Sequence, residues 1–330
     1  MYNDNFMIAT RAPTRISFSS CGDTDYYIDL IGTGNAFSGT IDLYAHSEIV
    51  RMVDSGIVLQ AGNSPALHLD STDQISFDGS NKEDELNLMK AVAKHYGNTR
   101  IAVRTYSKVP VGSGLGGSAS HAVSLIRAFE ELNDSKKTNE DVAKLAYHLE
   151  RKVLEVKGGY QDQYAAAFRG INYMEFRKDD VTVTPLSISE GLLQELEREL
   201  LLVYIPRQVA GTEIHTQQKA KSQESVELLL EKRENVKAIR SVFERRDFRE
   251  FGELMHKDWE IKKQLAGGIS NPRVDQVYDA ALKSGALGGR FIGAGGGGCA
   301  IFYTDGKRQN VLNVLQELGV AELPYKFERV

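Results

Sequence analysis

The 330-residue chain has only two cysteines, Cys21 and Cys299. They stand far apart, each inside a glycine-rich stretch, so neither a disulfide framework nor a metal-ligand spacing is present. No cysteine-hydrolase signature surrounds either one. Positive charge is not in excess: 40 Lys and Arg against 45 Asp and Glu leave a net charge of −5. That removes the basic footprint expected of a nucleic-acid-binding protein. Long apolar runs are missing too. The longest clear one, Leu200 to Ile205, is far too short to cross a bilayer and reads as a buried strand. Met1 to Thr10 carry no basic start and no apolar core, so no signal peptide is read and the expected compartment is the cytoplasm. There is no internal repeat and no low-complexity segment. What remains is the composition of a globular protein, 42% hydrophobic and 26% charged, long enough for one large or two ordinary domains.

Glycine, by contrast, is concentrated where it matters. Residues 110–120 read Pro-Val-Gly-Ser-Gly-Leu-Gly-Gly-Ser-Ala-Ser. Gly112, Gly114, Gly116 and Gly117 leave a run of backbone N–H groups unshielded and permit positive φ. Ile101 to Val109 alternate like a strand, and Val123, Ile126 and Phe129 follow at helical spacing. Strand, glycine loop and helix N-terminus together make an anion site, because orphan N–H groups and the helix dipole favour phosphate. A bare turn would need neither so many glycines nor the hydroxyls. The loop contains Gly-x-Gly-x-x-Gly, but a dinucleotide-binding unit needs a strand after the helix. Here another helix follows, opened by a capping box at Thr138 to Asp141. Gly-Lys-Ser/Thr is absent, which excludes a Walker A loop. Val-Ala-Ile-Lys, His-Arg-Asp and Asp-Phe-Gly are absent, which excludes a protein kinase.

Elsewhere strands are expected at Ile8 to Ser17 and about Asn35 to Val53. Helices are expected from about Glu83 to Tyr96, and from the capping box through Val153 until Gly158-Gly159 ends it. A short helix at Tyr160 to Phe168 precedes a strand at Ile171 to Phe176. After the charge-rich lead-in Glu190 to Glu199 come helices at Glu227 to Phe243, Arg249 to Leu265 and from Ser270-Asn-Pro272. Two strands near Phe291 and Cys299 to Tyr303 and a last helix close the chain. The Glu/Lys/Arg runs in this half read as solvated faces. Strands and helices mixed in both halves indicate an α+β protein rather than a doubly wound sheet.

The loop resembles the ATP loop of the GHMP kinases, matching at Pro110, Gly114, Leu115, Gly116, Ser118 and Ala119. Two companion motifs stand in order. The first is Arg11-Ala-Pro-Thr-Arg-Ile-Ser-Phe with Gly22-Asp-Thr-Asp-Tyr26; the third is Gly288-Gly-Arg-Phe-Ile-Gly-Ala-Gly-Gly-Gly-Gly-Cys299. Within the family, Ala146 to Arg151 and Gly158 to Phe168 look like the D-glycero-D-manno-heptose 7-phosphate kinase branch. The resemblance implies a ribosomal protein S5 domain 2-like N-terminal domain, residues 1–188, and a ferredoxin-like C-terminal domain, residues 189–330. It implies ATP and Mg²⁺ as cofactors and a sugar or sugar phosphate as substrate, with neither nucleic acid nor membrane as partner.

It also assigns residues. Pro110, Gly112, Ser113, Gly114, Leu115, Gly116, Gly117 and Ser118 would hold ATP. Ser118 and Glu150 would supply hard oxygens to Mg²⁺. Asp162 would be the catalytic base, accepting or orienting the sugar hydroxyl, paired with Arg15, whose guanidinium favours an ionised carboxylate. Gly158, Gly159, Gly295 and Gly296 would contact substrate, as would Asp25 or Asp23. Thr24-Asp25-Tyr26 keeps the galactokinase-like order and ranks Asp25 first, although an extra residue in this stretch leaves both open. Lys157, Arg169 and Arg207 are candidates for a phosphate on the substrate. His121, His215 and His256 receive no role. A free hexose, deoxyhexose or pentose as substrate, or a non-catalytic sugar sensor, remains open from sequence, as does the oligomeric state.

Overall fold

The computed structural model describes residues 2–77, 85–178, 180–207 and 210–330, with the backbone alone for residues 2–6. The first half runs β1 (Tyr2–Cys21), α1 (Asp25–Ile31), β2 (Gly34–Met52), β3 (Ile57–Ala61), β4 (Leu67–Leu69), α2 (Glu85–Tyr96), β5 (Ile101–Ser107), α3 (Gly117–Leu132), α4 (Asn139–Tyr147), α5 (Gln161–Phe168), β6 (Ile171–Arg177) and β7 (Asp180–Pro185). The second half runs α6 (Glu190–Glu199), β8 (Leu200–Ile205), α7 (Gly211–Ala220), α8 (Val226–Glu244), α9 (Phe248–Gln264), α10 (Pro272–Lys283), β9 (Gly288–Phe291), β10 (Gly298–Tyr303), α11 (Arg308–Glu317) and β11 (Ala321–Glu322).

β2 organises the first sheet. One edge pairs with β1, antiparallel, and places Arg15 opposite Thr40. Its other edge takes β5 along Ala45–Arg51 and β6 along Gly34–Gly39. The sheet is completed in the order β4-β3-β5-β2-β6-β7. The second sheet is β11-β8-β10-β9, antiparallel throughout. The fold is therefore two-domain α+β. We propose the division at 188/189, in the stretch between β7 and α6.

The halves share a core. Phe18 and Phe37 of the first sheet meet Phe243 of α8 at ring-centroid distances of 6.0 and 5.0 Å, and Phe18 meets Phe251 of α9 at 5.6 Å. Phe327, near the chain end, bridges back to Ile41. An aromatic seam of this kind holds the two sheets in fixed register, so a cleft between them has a defined shape.

Three expectations change. The helix opened by the Thr138–Asp141 capping box does not run on to Gly158. After Tyr147 it widens into one π-type turn, His148–Val153, and Glu155 then adopts φ 54°. Such turns are rare and concentrate at functional sites. The lead-in Glu190 to Glu199 is a helix whose apolar stripe, Leu192, Leu193 and Leu196, is buried. Three charged residues on the supposedly solvated faces, Lys232, Asp258 and Lys262, are buried instead. Short α1, β3, β4, β7 and β11 carry too few residues for a clear period, which is why patterning missed them. The start of the helix expected from Glu83 lies outside the described residues.

Candidate active site

A cleft of about 490 Å³ lies where the ends of the two sheets meet. Three segments far apart in sequence build its floor. The Arg15 backbone N–H donates to the Leu115 carbonyl at 3.0 Å, and the Cys299 N–H donates to the Ser113 carbonyl at 2.7 Å. Arg15 Nη1 reaches the Gly114 carbonyl at 2.6 Å. The glycine loop is thus clamped between β1 and the start of β10.

Seven of the eight candidate ATP-binding residues line this cleft; Leu115 does not. Its side chain is fully buried in the core, so it anchors the loop rather than touching ligand. Gly114, at φ 80°, passes so close to the opposite loop that a Cβ would lie 2.6 Å from the Ile292 carbonyl oxygen. Gly116, at φ 79°, caps α3 and leaves room for Asp162, whose Cγ would be 3.3 Å from a Cβ there. Gly117 has open space in front of it and an ordinary φ. These differences separate binding from folding. Gly114→Val should cost about 1–3 kcal/mol of stability through φ strain alone. Gly117→Val should leave the melting temperature without nucleotide unchanged and weaken ATP binding by about 1–3 kcal/mol, as overpacking does. A Gly117→Val protein that binds ATP normally would remove the cradle from this loop.

The metal candidates come together. Ser118 Oγ donates to Glu150 Oε1 at 2.6 Å, and Gln163 Nε2 donates to Glu150 Oε2 at 2.6 Å. The Glu150 carboxylate is 1% exposed, so it is not a surface glutamate. The π-type turn rotates it inward. A hydroxyl and an aimed carboxylate beside a phosphate-sized cradle suit Mg²⁺, which takes few protein oxygens and completes its shell with phosphates and water.

The catalytic candidates also meet. Arg15 Nε and Nη2 both donate to Asp162 Oδ1, at 3.0 and 2.6 Å. Arg15 is 3% exposed and Asp162, in the first turn of α5, stands at the cleft surface. Because both bonds fall on Oδ1, Oδ2 is left beside Gly116 to meet a substrate hydroxyl.

The structure separates the two candidate substrate acids. Asp23 lines the cleft, and Gln161 Nε2 donates to its Oδ2 at 2.9 Å. Burial and the neighbouring Asp162 push the Asp23 carboxyl above the usual carboxylate range. Asp25 points away. It accepts from Tyr160 Oη at 2.6 Å, Tyr147 Oη at 3.0 Å and Lys152 Nζ at 2.9 Å, on another face. Thr-Asp-Tyr order ranks Asp25 first, whereas the structure places Asp23 and not Asp25 on the cleft, and we propose Asp23 as the acid that meets the sugar. Asp23→Ala should lower kcat/KM for the sugar by about a hundredfold or more through its lost hydroxyl contacts. Asp25→Ala should change it far less, and steady-state kinetics on both variants decides the order.

Gly158 and Gly159 line the cleft; a Cβ on Gly159 would overlap the Asp23 carboxylate. Gly295 and Gly296 do not line it. Gly296 N–H donates to the Ile269 carbonyl at 2.8 Å, and both shape the turn that sets Gly293 and Ala294 at the wall. Of the three basic candidates, Lys157 and Arg207 line the cleft, while Arg169 Nε is bound to Glu328 at 3.0 Å elsewhere. Burial pushes both thiols, Cys21 and Cys299, up to about 12, which keeps them protonated.

Sequence reasoning missed Gln161, Gln163, Arg151, His215, Lys232, Lys262 and Arg290. The two glutamines flank Asp162 and could have been found from that position. The rest sit on helices or strands whose burial only packing reveals.

The motif geometry has its counterpart in known proteins. Residues 86–170 match the family described as GHMP kinases N terminal domain, and residues 236–321 match GHMP kinases C terminal. The chain is 32% identical, over 94% of its length and 93% of the relative's, to the D-glycero-alpha-D-manno-heptose 7-phosphate kinase of Campylobacter jejuni. The chain belongs to the GHMP kinases. It superposes on a D-glycero-D-manno-heptose 1-phosphate kinase from Bacteroides thetaiotaomicron with TM-score 0.79 and 28% identity, covering 98% and 96% of the two chains. The Methanococcus jannaschii mevalonate kinase shares the fold, with TM-score 0.76 and 22% identity over 98% and 99%. Residues of both halves of this chain line the cleft. No helix among the described residues is long and apolar enough to cross a membrane.

Proposed function

We propose that this GHMP-family sugar kinase uses ATP and Mg²⁺ to phosphorylate the anomeric hydroxyl of D-glycero-D-manno-heptose 7-phosphate, giving the 1,7-bisphosphate. The observation that carries the reading is the convergence on one cleft of the Arg15–Asp162 pair and the Ser118–Glu150 pair beside the glycine loop. Similarity to heptose phosphate kinases supports the choice of sugar.

Mg²⁺, when bound, neutralises charge on the ATP phosphates, and Ser118 and Glu150 would hold it. The backbone N–H groups of the loop cradle the phosphates. Asp162 orients the attacking hydroxyl by accepting its hydrogen bond at Oδ2, while Arg15 fixes the carboxylate. Asp23 can accept hydrogen bonds from neighbouring sugar hydroxyls.

The test is ATP turnover with and without Mg²⁺ over a panel of free sugars and sugar phosphates. Highest kcat/KM with the heptose 7-phosphate is expected. Preference for a free hexose, deoxyhexose or pentose overturns the substrate, and nucleotide binding without any turnover overturns the kinase.

A further inference from the structure

We infer that Arg151, Lys157 and His215 form a second anion site in the cleft, which takes a phosphate group already carried by the acceptor sugar. This deepens the kinase reading and rests on it. The nucleotide end of the cleft has its own cation. Arg207 packs against the glycine loop, with Nη2 3.2 Å from where a Cβ on Gly114 would sit. Arg151, Lys157 and His215 lie on two segments, the π-type turn with the stretch that follows it and helix α7, and all three line the cleft.

Arg151 is poorly satisfied for a shielded cation. Its side chain is 12% exposed, and Nε is closed off with no hydrogen-bond partner among the described residues. Among the described residues Nη1 reaches the Val156 carbonyl, at a long 3.5 Å, and stands 4.0 Å from Glu150 Oε1. The guanidinium lies over Gly158, where a Cβ would be 2.7 Å from Cζ. The acids nearby are engaged elsewhere: Glu150 by Ser118 and Gln163, Asp162 by Arg15, Asp23 by Gln161. A buried polar group without a partner marks a place where a ligand completes the bonding.

His215 repeats the pattern. Its Nδ1 is shielded and has no partner among the described residues. Burial, with Arg151 and Lys262 close by, pushes the imidazole down to about 4, and Asp162 opposes this only in part. The ring therefore sits in a positive field. Lys157 Nζ donates to Thr216 Oγ1 at 2.7 Å, one helical turn beyond Thr212, and so joins the two segments at the rim. Gly211 and Thr212, in the first turn of α7, also line the cleft, and no side chain caps that turn. A planar guanidinium, an imidazole, an ammonium and a helix start suit a phosphate dianion better than a neutral hydroxyl cluster. The glycine loop and the Ser118–Glu150 pair already serve the ATP phosphates, so this second set is left for the acceptor.

The experiment compares an aldoheptose with its 7-phosphate ester in the full-length protein. The readouts are kcat/KM for each acceptor, KM for ATP, and equilibrium binding of the ester without nucleotide. The wild type should prefer the ester. Arg151→Met should reduce that preference, and ester binding, about tenfold to hundredfold, the range of hydrogen bonds to charged groups. Arg151→Lys should restore part of it, and Lys157→Met, at the exposed rim where folding is not at stake, should give a smaller loss in the same direction. A rise in KM for ATP with the ester preference intact would assign these residues to the nucleotide and overturn the inference. If the wild type uses the free heptose as well as the ester, the inference falls while the kinase reading stands. If neither acceptor is turned over, both fall.

Discussion

Asp162→Asn is expected to lower kcat about a hundredfold or more, the loss typical of a removed general base or positioning carboxylate. The reason is geometric. Asn keeps Oδ1, the atom that accepts both bonds from Arg15, so the side chain should hold its place. Only Oδ2 changes, from the acceptor proposed to meet the sugar hydroxyl to an amide that donates. ATP binding should be unaffected, because the proposed cradle runs from Gly112 to Ser118 and the Asp162 carboxylate lies beside Gly116 without forming that run of N–H groups. Kinetics of the variant with saturating sugar, alongside nucleotide binding, checks both halves. Near-wild-type kcat would remove Asp162 from catalysis, and a lost ATP affinity would make it a part of the loop instead.

The second large effect concerns folding. Beneath the cleft, Asp258 is fully buried with three partners: Lys232, Ser19 and Arg290. Arg290 Nη1 stands 2.9 Å from Asp258 Oδ2. Burial alone would raise the Asp258 carboxyl, but Arg290 and Lys232 outweigh it and hold the group below its usual range. Lys262, also buried, donates to the carbonyls of Phe291 and Gly293 at 2.9 and 2.6 Å and so ties α9 to the cleft wall. Asp258→Asn leaves Lys232 and Arg290 without their shared counter-charge. It should cost about 3–5 kcal/mol, the penalty for stranding buried charge. Chemical denaturation of the two proteins measures it. A loss under about 1 kcal/mol, the worth of a surface pair, would mean that water reaches the cluster.

Much of the cleft was legible in sequence because its chemistry is local. Glycine spacing and the start of α3 mark Gly112 to Ser118 as the candidate phosphate loop, and the structure places that loop on the cleft. The capping box at Thr138 fixes the start of α4. Motif order implied the GHMP fold, and Arg15, Ser118, Glu150 and Asp162 were each nameable one at a time. Their pairing is a tertiary fact: Arg15 and Asp162 are 147 positions apart and meet only because β1 passes beside α3 and α5. Packing decided the rest. Asp23 and Asp25 differ by two positions and by nothing in type, yet α1 begins at Asp25 and turns it onto Tyr147 and Tyr160, while Asp23 stays in the cleft. Lys232 and Asp258 look like members of solvated helix faces, and only the packing of α8 against α9 shows that they are buried together. Composition and spacing record which groups a chain owns. Which of them lose water, and which partner each then needs, depends on surfaces contributed by distant segments, and those exist only after the two sheets have closed on each other.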